Sequence, residues 1–269
     1  MSQDDVRFRA TLGDPSAFTA LMAAVTATLE EANFTVDGGG LSLRQMDRDC
    51  VSLVEARVPP GVFDEYRVEA AGLLRLSVKD FLHTLGKAVR GEAMTLETDP
   101  ERMRLHVRLR APGKTRAHGF ELAMLDPTLD EVPSPVLDYA AETTIKVGPL
   151  LDAVRDADLV TEYARVKATP DLFEVYGEGD KGSTYNTWER GAEDLVRHEA
   201  REETETVYSA SRLLGVISPC RNLAEAATVR LGRNMPLRIE YGFKRRDAAR
   251  LNGADETPAL SYYVAPMVV

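Results

Sequence analysis

Cysteine is scarce in this chain. There are two in 269 residues, Cys50 and Cys220, too few for a disulfide framework, and each sits among apolar neighbours as a reduced core thiol would. Long apolar runs are missing too. Nothing approaches the roughly 18 apolar residues of a membrane-spanning helix, and the opening MSQDDVRFR lacks the apolar stretch of a secretory signal, so the expected setting is cytosolic. Asn33-Phe34-Thr35 matches a glycosylation acceptor, which has no meaning without export. Positive charge is in deficit as well: 33 Lys and Arg face 43 Asp and Glu, a formal net charge of −10. That excludes a chain coated with basic residues for nucleic acid, though not a small basic region inside an acidic whole.

What is present is enough to fold. Hydrophobic residues make up 44% of the chain, which supports a sizeable core in one large or two ordinary domains and excludes disorder as the main state. From Asp14 to Asn33 the residues Phe18, Leu21, Met22, Val25 and Leu29 recur at helical spacing behind a possible Asp14 cap and Pro15, predicting a helix packed on one side. Leu41, Leu43 and the run from Val51 to Val58 change period, and a second helical stretch runs from Val78 to Val89. Strands follow. In Met103 to Arg110 the apolar Met103, Leu105, Val107 and Leu109 alternate with Arg104, His106, Arg108 and Arg110, the pattern of a strand with one buried and one wet face.

The segment Leu125 to Leu137 has three prolines and no period, and it reads as an extended linker between domains. Beyond it the order repeats: a strand at Thr143 to Val147, a helix from Pro149 to about Ala157, strands at Phe173 to Tyr176 and Ser183 to Trp188, a helix from Ser209 to Pro219, and closing strands at Thr228 to Leu231, Leu237 to Tyr241 and Leu260 to Val264. Pro15 and Pro149, which open the first helices, are 134 residues apart, and Ser77 and Ser209, which open the second, are 132 apart. Two similar offsets point to one unit of about 130 residues used twice.

No catalytic constellation assembles. Gly177-Glu-Gly179-Asp-Lys-Gly182 fits a dinucleotide fingerprint after an apolar strand, and a nucleotide-dependent enzyme is the alternative reading it offers. A phosphate site needs a helix N-terminus next, however, and Ser183 to Trp188 is β-branched and aromatic, so the loop reads as a hairpin turn. His198-Glu199 begins like a zinc helix, but Glu202 stands where the second His belongs, and the two cysteines are 170 residues apart. His83, His106, His118 and His198 fall in separate elements, and there is neither a GxSxG elbow nor a Walker loop. Asp152 and Asp156, one helical turn apart, read as solvated surface residues. With no metal, cofactor or active site expected, the residues lean towards a binding or scaffold protein.

Four stretches resemble the archaeal and eukaryotic sliding clamps, the proliferating cell nuclear antigen (PCNA) family. They are LEEANFTVDGGGLSLRQMDRDCVSLVEARVP (29–59), MLDPTLDEVPSPVLDY (124–139), VRLGRNMPLRIEYGF (229–243) and LSYYVAPMV (260–268), so the resemblance spans nearly the whole chain. It implies an α+β fold of two similar βαβββ-repeat domains, 1–124 and 138–269, joined by a connector at 125–137 that holds Pro127, Pro133 and Pro135. It also implies a ring of three subunits, homotrimeric or heterotrimeric, with helices lining a channel and antiparallel sheets outside.

The implied function is a DNA polymerase sliding clamp without catalysis of its own, nucleoid-associated if archaeal. Its partners would be encircled duplex DNA and the DNA polymerase, clamp loader, nuclease and ligase, which dock through a short motif with a 3₁₀ turn and aromatic anchors. Carried across by position, the docking pocket is Met46, Val51, Val132, Pro236, Tyr263, Ala265 and Pro266. The subunit interface pairs His118 to Leu122, with His118, Phe120 and Leu122 as contacts, against Ser183 to Trp188, with Thr184 and Tyr185.

The channel departs from the family. Clamps place lysines where this chain has Thr19, Ala20 and Thr26. The four helical stretches 16–33, 77–90, 147–157 and 209–222 carry formal charges of −2, +2, −1 and +2, or +1 together, leaving −11 for the rest. Lys87, Arg90, Arg155 and Arg221 are the candidate phosphate contacts. The basic stretch Lys244 to Arg250 matches no family motif and reads as a solvated hairpin.

Overall fold

The structure is a computed structural model that describes residues 6–88, 91–111, 113–114, 117–127, 132–133, 135–243 and 258–267. Two compact units emerge. Unit one takes its described residues from Met1–Gln45, Glu55–Val132 and Phe243–Ala259, and unit two from Met46–Val54, Pro133–Gly242 and Leu260–Val269.

The first half of the chain runs β1 (Arg7–Leu12), α1 (Ser16–Thr26), β2 (Glu31–Asp37), β3 (Gly40–Met46), β4 (Ser52–Val58), β5 (Glu65–Ala70), β6 (Gly72–Ser77), α2 (Val78–Leu85), β7 (Ala93–Asp99), β8 (Arg104–Arg110) and β9 (Ala117–Ala123). The second half runs β10 (Ala141–Lys146), α3 (Val147–Val160), β11 (Tyr163–Ala168), β12 (Leu172–Gly179), β13 (Gly182–Glu189), β14 (Leu195–Ala200), β15 (Thr204–Ser209), α4 (Ala210–Ile217), β16 (Ala224–Leu231), β17 (Leu237–Phe243) and β18 (Ala259–Val264). The order of elements is the same in both halves. Each contains βαβββ twice, as β1-α1-β2-β3-β4 and β6-α2-β7-β8-β9 and then as β10-α3-β11-β12-β13 and β15-α4-β16-β17-β18, with β5 and β14 interposed.

Sheet order repeats as faithfully. Unit one has β5-β1-β7-β8-β9 and β6-β2-β3-β4, and unit two has β14-β10-β16-β17-β18 and β15-β11-β12-β13. By this correspondence β18 is the counterpart of β9, and β13 is the counterpart of β4. The pairings within β1, β7, β8 and β9 are antiparallel, as are those within β11, β12, β13 and β15.

Burial follows the alternation. On β8, Leu105, Val107 and Leu109 are fully buried while Arg108 and Arg110 are exposed, and β2 buries Ala32, Phe34 and Val36. Helix α1 turns Phe18, Leu21, Met22 and Val25 inward, and Phe18 meets the rings of Phe63 and Phe81, each at 6.1 Å between centroids. In unit two α3 buries Leu150, Leu151, Val154 and Ala157. The serines that open α2 and α4 are true caps: Ser77 Oγ accepts from Asp80 N (3.3 Å) and Ser209 Oγ from Arg212 N (3.4 Å).

Several boundaries differ from the sequence reading. The first helix ends at Thr26 rather than Asn33. Thr26 Oγ1 donates back to the Ala23 carbonyl and Thr28 Oγ1 to that of Val25, closing the last turn, and from Glu31 the alternating apolar residues join a sheet. The second helix ends at Leu85, ahead of Gly86, while Val89 lies outside the described residues. Helix α3 begins at Val147, with Pro149 inside its first turn where no backbone donor is needed, and extends to Val160. Cys220 is a buried free thiol as expected, but Cys50 is exposed, because it occupies a left-handed turn position (φ 56°) at the tip of the β3–β4 connection.

Candidate functional site

The β3–β4 connection is built around one carboxylate. Asp47 is only 5% exposed, and its Oδ1 accepts from the backbone N–H of Val51 (2.8 Å) and Ser52 (3.0 Å). Its Oδ2 accepts from Arg212 Nη1 of α4 at 2.9 Å, and the other Arg212 nitrogen reaches Asp49. The loop is closed again by Asp47 N–H donating to the Ser52 carbonyl (2.8 Å) and Cys50 N–H to the Asp47 carbonyl (3.1 Å). A buried carboxylate with three donors is fully satisfied, so the loop has one preferred shape. Asp47 did not stand out within the stretch 29–59, since its partner Arg212 lies 165 residues away.

The end of β18 is tied to that loop. Ala265 N–H donates to the Val51 carbonyl at 2.9 Å and Met267 N–H to that of Val207 at 2.8 Å, so residues 265–267 are docked on unit two. Val51, Ala265 and Pro266 are half-buried, as is Met46 at the head of the loop. Tyr263 is buried, with the Arg238 guanidinium 5.2 Å above its ring, and half-buried Pro236 immediately precedes β17, the neighbour of β18. Of the expected docking residues in unit two, Val51 is thus tied to Ala265, and Tyr263 lies against Arg238, two residues after Pro236. Val132 is half-buried and counts with unit one.

The two expected interface strands are both sheet ends: β9 closes one sheet of unit one and β13 one sheet of unit two. On β9, His118, Phe120 and Leu122 share a half-buried face, with the His118 and Phe120 rings edge to face at 5.9 Å. On β13, Tyr185 is 57% exposed, stacks on Tyr176 at 5.6 Å and donates its hydroxyl to Glu178. The neighbouring Thr184 hydroxyl is buried without a partner among the described residues. Their counterparts do not end a sheet. In the strand order neither β18 nor β4 stands at an end.

The candidate phosphate contacts sit beside the helices. Lys87 is exposed in the turn after α2, and Arg221 is exposed in the 3₁₀ turn Ser218–Arg221 after α4. They are 134 residues apart, the same offset as the two opening prolines. Arg155 is exposed on α3 and donates to Asp152 at 3.2 Å, which takes up part of its charge. Arg90 and the stretch Lys244 to Arg250 lie outside the described residues.

The charge count over helices changes with their true ends. Glu30 and Glu31 fall beyond α1, which then carries no charge, and α3 gains Asp158. The four helices hold 0, 0, −2 and +1, so the basic charge lies in the turns that follow them rather than on the helices.

The two enzyme-like motifs resolve structurally. Gly177 to Gly182 spans a β-hairpin in which Gly179 pairs with Gly182, and no helix follows. A Cβ on Gly177 would come 2.9 Å from Ala157 Cα, so this glycine admits α3 against the sheet rather than a phosphate. His198 lies on strand β14, not on a helix. Its Nε2 is 2.6 Å from the Thr169 carbonyl and must donate there, and its Nδ1 is 2.8 Å from Thr143 Oγ1: this is a satisfied core histidine. No cluster of three or more metal-ligating side chains occurs among the described residues, and none of their helices is long and apolar enough to cross a membrane.

Comparison with known proteins agrees along the whole length. The family model described as proliferating cell nuclear antigen, N-terminal domain, matches residues 7–131. A DNA polymerase sliding clamp of Methanopyrus kandleri is 31% identical over 265 residues, covering 98% of this chain and 99% of that protein. One of Thermofilum pendens is 24% identical over 228 residues, covering 85% and 90%. The crystal structure of PCNA from Thermococcus kodakaraensis superposes with a TM-score of 0.85 at 24% identity, covering 97% of this chain and all of that one.

Proposed function

The chain belongs to the PCNA family of DNA polymerase sliding clamps, and from that membership we propose that its copies, alone or with paralogues, close head to tail into a ring of three around duplex DNA. A sliding clamp is a processivity factor without catalysis of its own. The observation that carries the ring is the pair of unfilled sheet ends. Strands β9 and β13 each end a sheet, while their counterparts in the internal duplication, β18 and β4, do not. Pairing β9 of one copy with β13 of the next fills both ends by strand addition to a sheet edge. Such a contact joins two different patches and therefore generates a closed ring or an open filament.

The remaining assignments follow from the ring. The first domain is 1–124, the connector 125–137 and the second domain 138–269. Lys87, Arg90, Arg155 and Arg221 face the phosphates, and their loose, base-independent attraction lets the ring slide. Polymerase, clamp loader, nuclease and ligase insert a short aromatic-anchored motif at Met46, Val51, Val132, Pro236, Tyr263, Ala265 and Pro266. Topological linkage keeps a docked polymerase at high effective concentration near its primer end.

Native mass spectrometry tests the assembly. The expected species holds three chains, with three times the chain mass from this chain alone or the summed masses of the subunits on adding its paralogues. The low helix charge supports the mixed ring, and a stable homotrimer would count against that version. A monomer at high concentration under both conditions would overturn the ring.

A further inference from the structure

Unit two holds a cleft of about 590 Å³ that the docking residues do not account for. One wall is the chain from Pro135 to Glu142, and the other is formed by β14, β16 and β17 and by the turns at Pro170 and Arg190. In a chain of net charge −10 it is lined by five arginines: Arg190, Arg197, Arg201, Arg230 and Arg238.

The carboxylates around the cleft do not use up those guanidinium groups. Glu142 is shared by Arg230 (2.8 Å) and Arg197 (3.4 Å), and Glu240 by Arg230 and Arg238 (2.5 Å each). Glu199 takes two nitrogens of Arg197, at 3.0 and 3.2 Å, and Arg201 donates to Asp138 at 2.5 Å and to the Tyr139 carbonyl. Arg190 has no carboxylate partner among the described residues. Each guanidinium carries five donors, so most of the N–H groups remain available. Two further donors are orphaned in the cleft residues: Tyr139 O–H and Arg238 Nε–H are buried with no acceptor. Five guanidinium groups against four carboxylates leave positive charge in the cleft, and the two unpartnered donors belong to its lining residues, so an oxyanion ligand suits it.

We propose that this cleft takes an acidic segment of a partner protein, continuing from the motif docked at Tyr263, Ala265 and Pro266. The proposal rests on the docking assignment, and Tyr263 is the residue common to both sites. Peptide carboxylates fit better than a phosphodiester chain. They can be spaced to meet the arginines and avoid Glu142 and Glu199, and the apolar side chains Pro135, Leu137 and Pro170 suit a peptide's aliphatic atoms.

The test uses fluorescein-labelled peptides with a 3₁₀ motif and aromatic anchors, extended at either end by a run of aspartates or a run of serines, and titrated with the full chain. The aspartate tail at one end should tighten binding about tenfold at low salt, as expected of two or three partly exposed charge contacts, and lose the gain at high salt. An Arg190→Ser/Arg201→Ser variant should bind the serine-tailed peptide as wild type does but show no aspartate gain. The charge swap Arg190→Glu should reverse the preference. Equal binding of both tails by the wild type, or a gain that survives in the double variant, would overturn the proposal while leaving the docking site standing. A labelled oligonucleotide that outbinds the aspartate-tailed peptide and is lost in the double variant would assign the cleft to nucleic acid instead. Failure of both peptides to bind would refute the docking assignment, and this proposal with it.

Discussion

Replacing Asp47 by alanine removes one carboxylate and exposes four dependencies at once. The Val51 and Ser52 N–H groups lose their acceptor, the β3–β4 loop loses its brace, and Arg212 keeps only Asp49. A hydrogen bond to a charged group is worth about 1.5–3 kcal/mol, and breaking a buried pair costs about 3–5 kcal/mol. Those figures do not add. Arg212 is 39% exposed, so its lost attraction is screened, and water can reach part of the opened loop. The expected cost is about 2–4 kcal/mol for Asp47→Ala and about 1–2 kcal/mol for Asp47→Asn, which retains an acceptor for the two N–H groups. Urea unfolding followed by Trp188 fluorescence measures it, since that indole lies in unit two with the loop. Because Val51 also holds Ala265, affinity for an aromatic-anchored peptide should fall in parallel. A loss below about 0.5 kcal/mol, the range of surface substitutions, with unchanged peptide affinity would refute the view that Asp47 shapes the docking surface.

Gly177→Ala should destabilise by about 1–3 kcal/mol, the usual cost of overpacking, because its Cβ meets backbone of α3 at 2.9 Å; thermal melting checks this, and a change below 0.5 kcal/mol would contradict the packing role. Thiol labelling of the native chain should modify Cys50 and spare Cys220 until the protein unfolds, and equal rates would contradict the burial. Burial pushes the Cys220 thiol from its ordinary 9.0 up to about 12. The unfolded chain therefore sheds that proton first, and stability should fall as pH rises from about 9 towards 12, less steeply in Cys220→Ala, as denaturation at several pH values will show. Tyr185→Asp, at an exposed position of β13, should shift the assembly towards monomer in sedimentation without lowering the melting temperature of the single chain, whereas an intact ring would remove β13 from the interface.

The duplication was legible because helix caps and prolines are local signals. Ser77 and Ser209 cap their helices as their spacing suggested. The edge strands β5 and β14 were not legible. Edge strand β5 (EYRVEA) has no fully buried residue, and β14 buries only Leu195 and His198 because a bulge interrupts its pairing with β10. The docking residues were found by resemblance, since no local pattern links Val51 to Ala265. Their supports, Asp47 with Arg212 and Tyr263 with Arg238, depend on tertiary contacts. The arginine cleft was hidden for the same reason: its guanidinium groups come from separate strands and turns of a chain whose net charge points the other way.

The link between ring and DNA is topological, and retention on DNA tests it. The chain, with its clamp loader and any paralogues, is loaded onto primed closed-circular DNA, separated from free protein at high salt, and followed after the circle is cut. Protein should be held on the circle and released once the DNA has ends. Equal retention before and after cutting, or no retention on the circle, would contradict it.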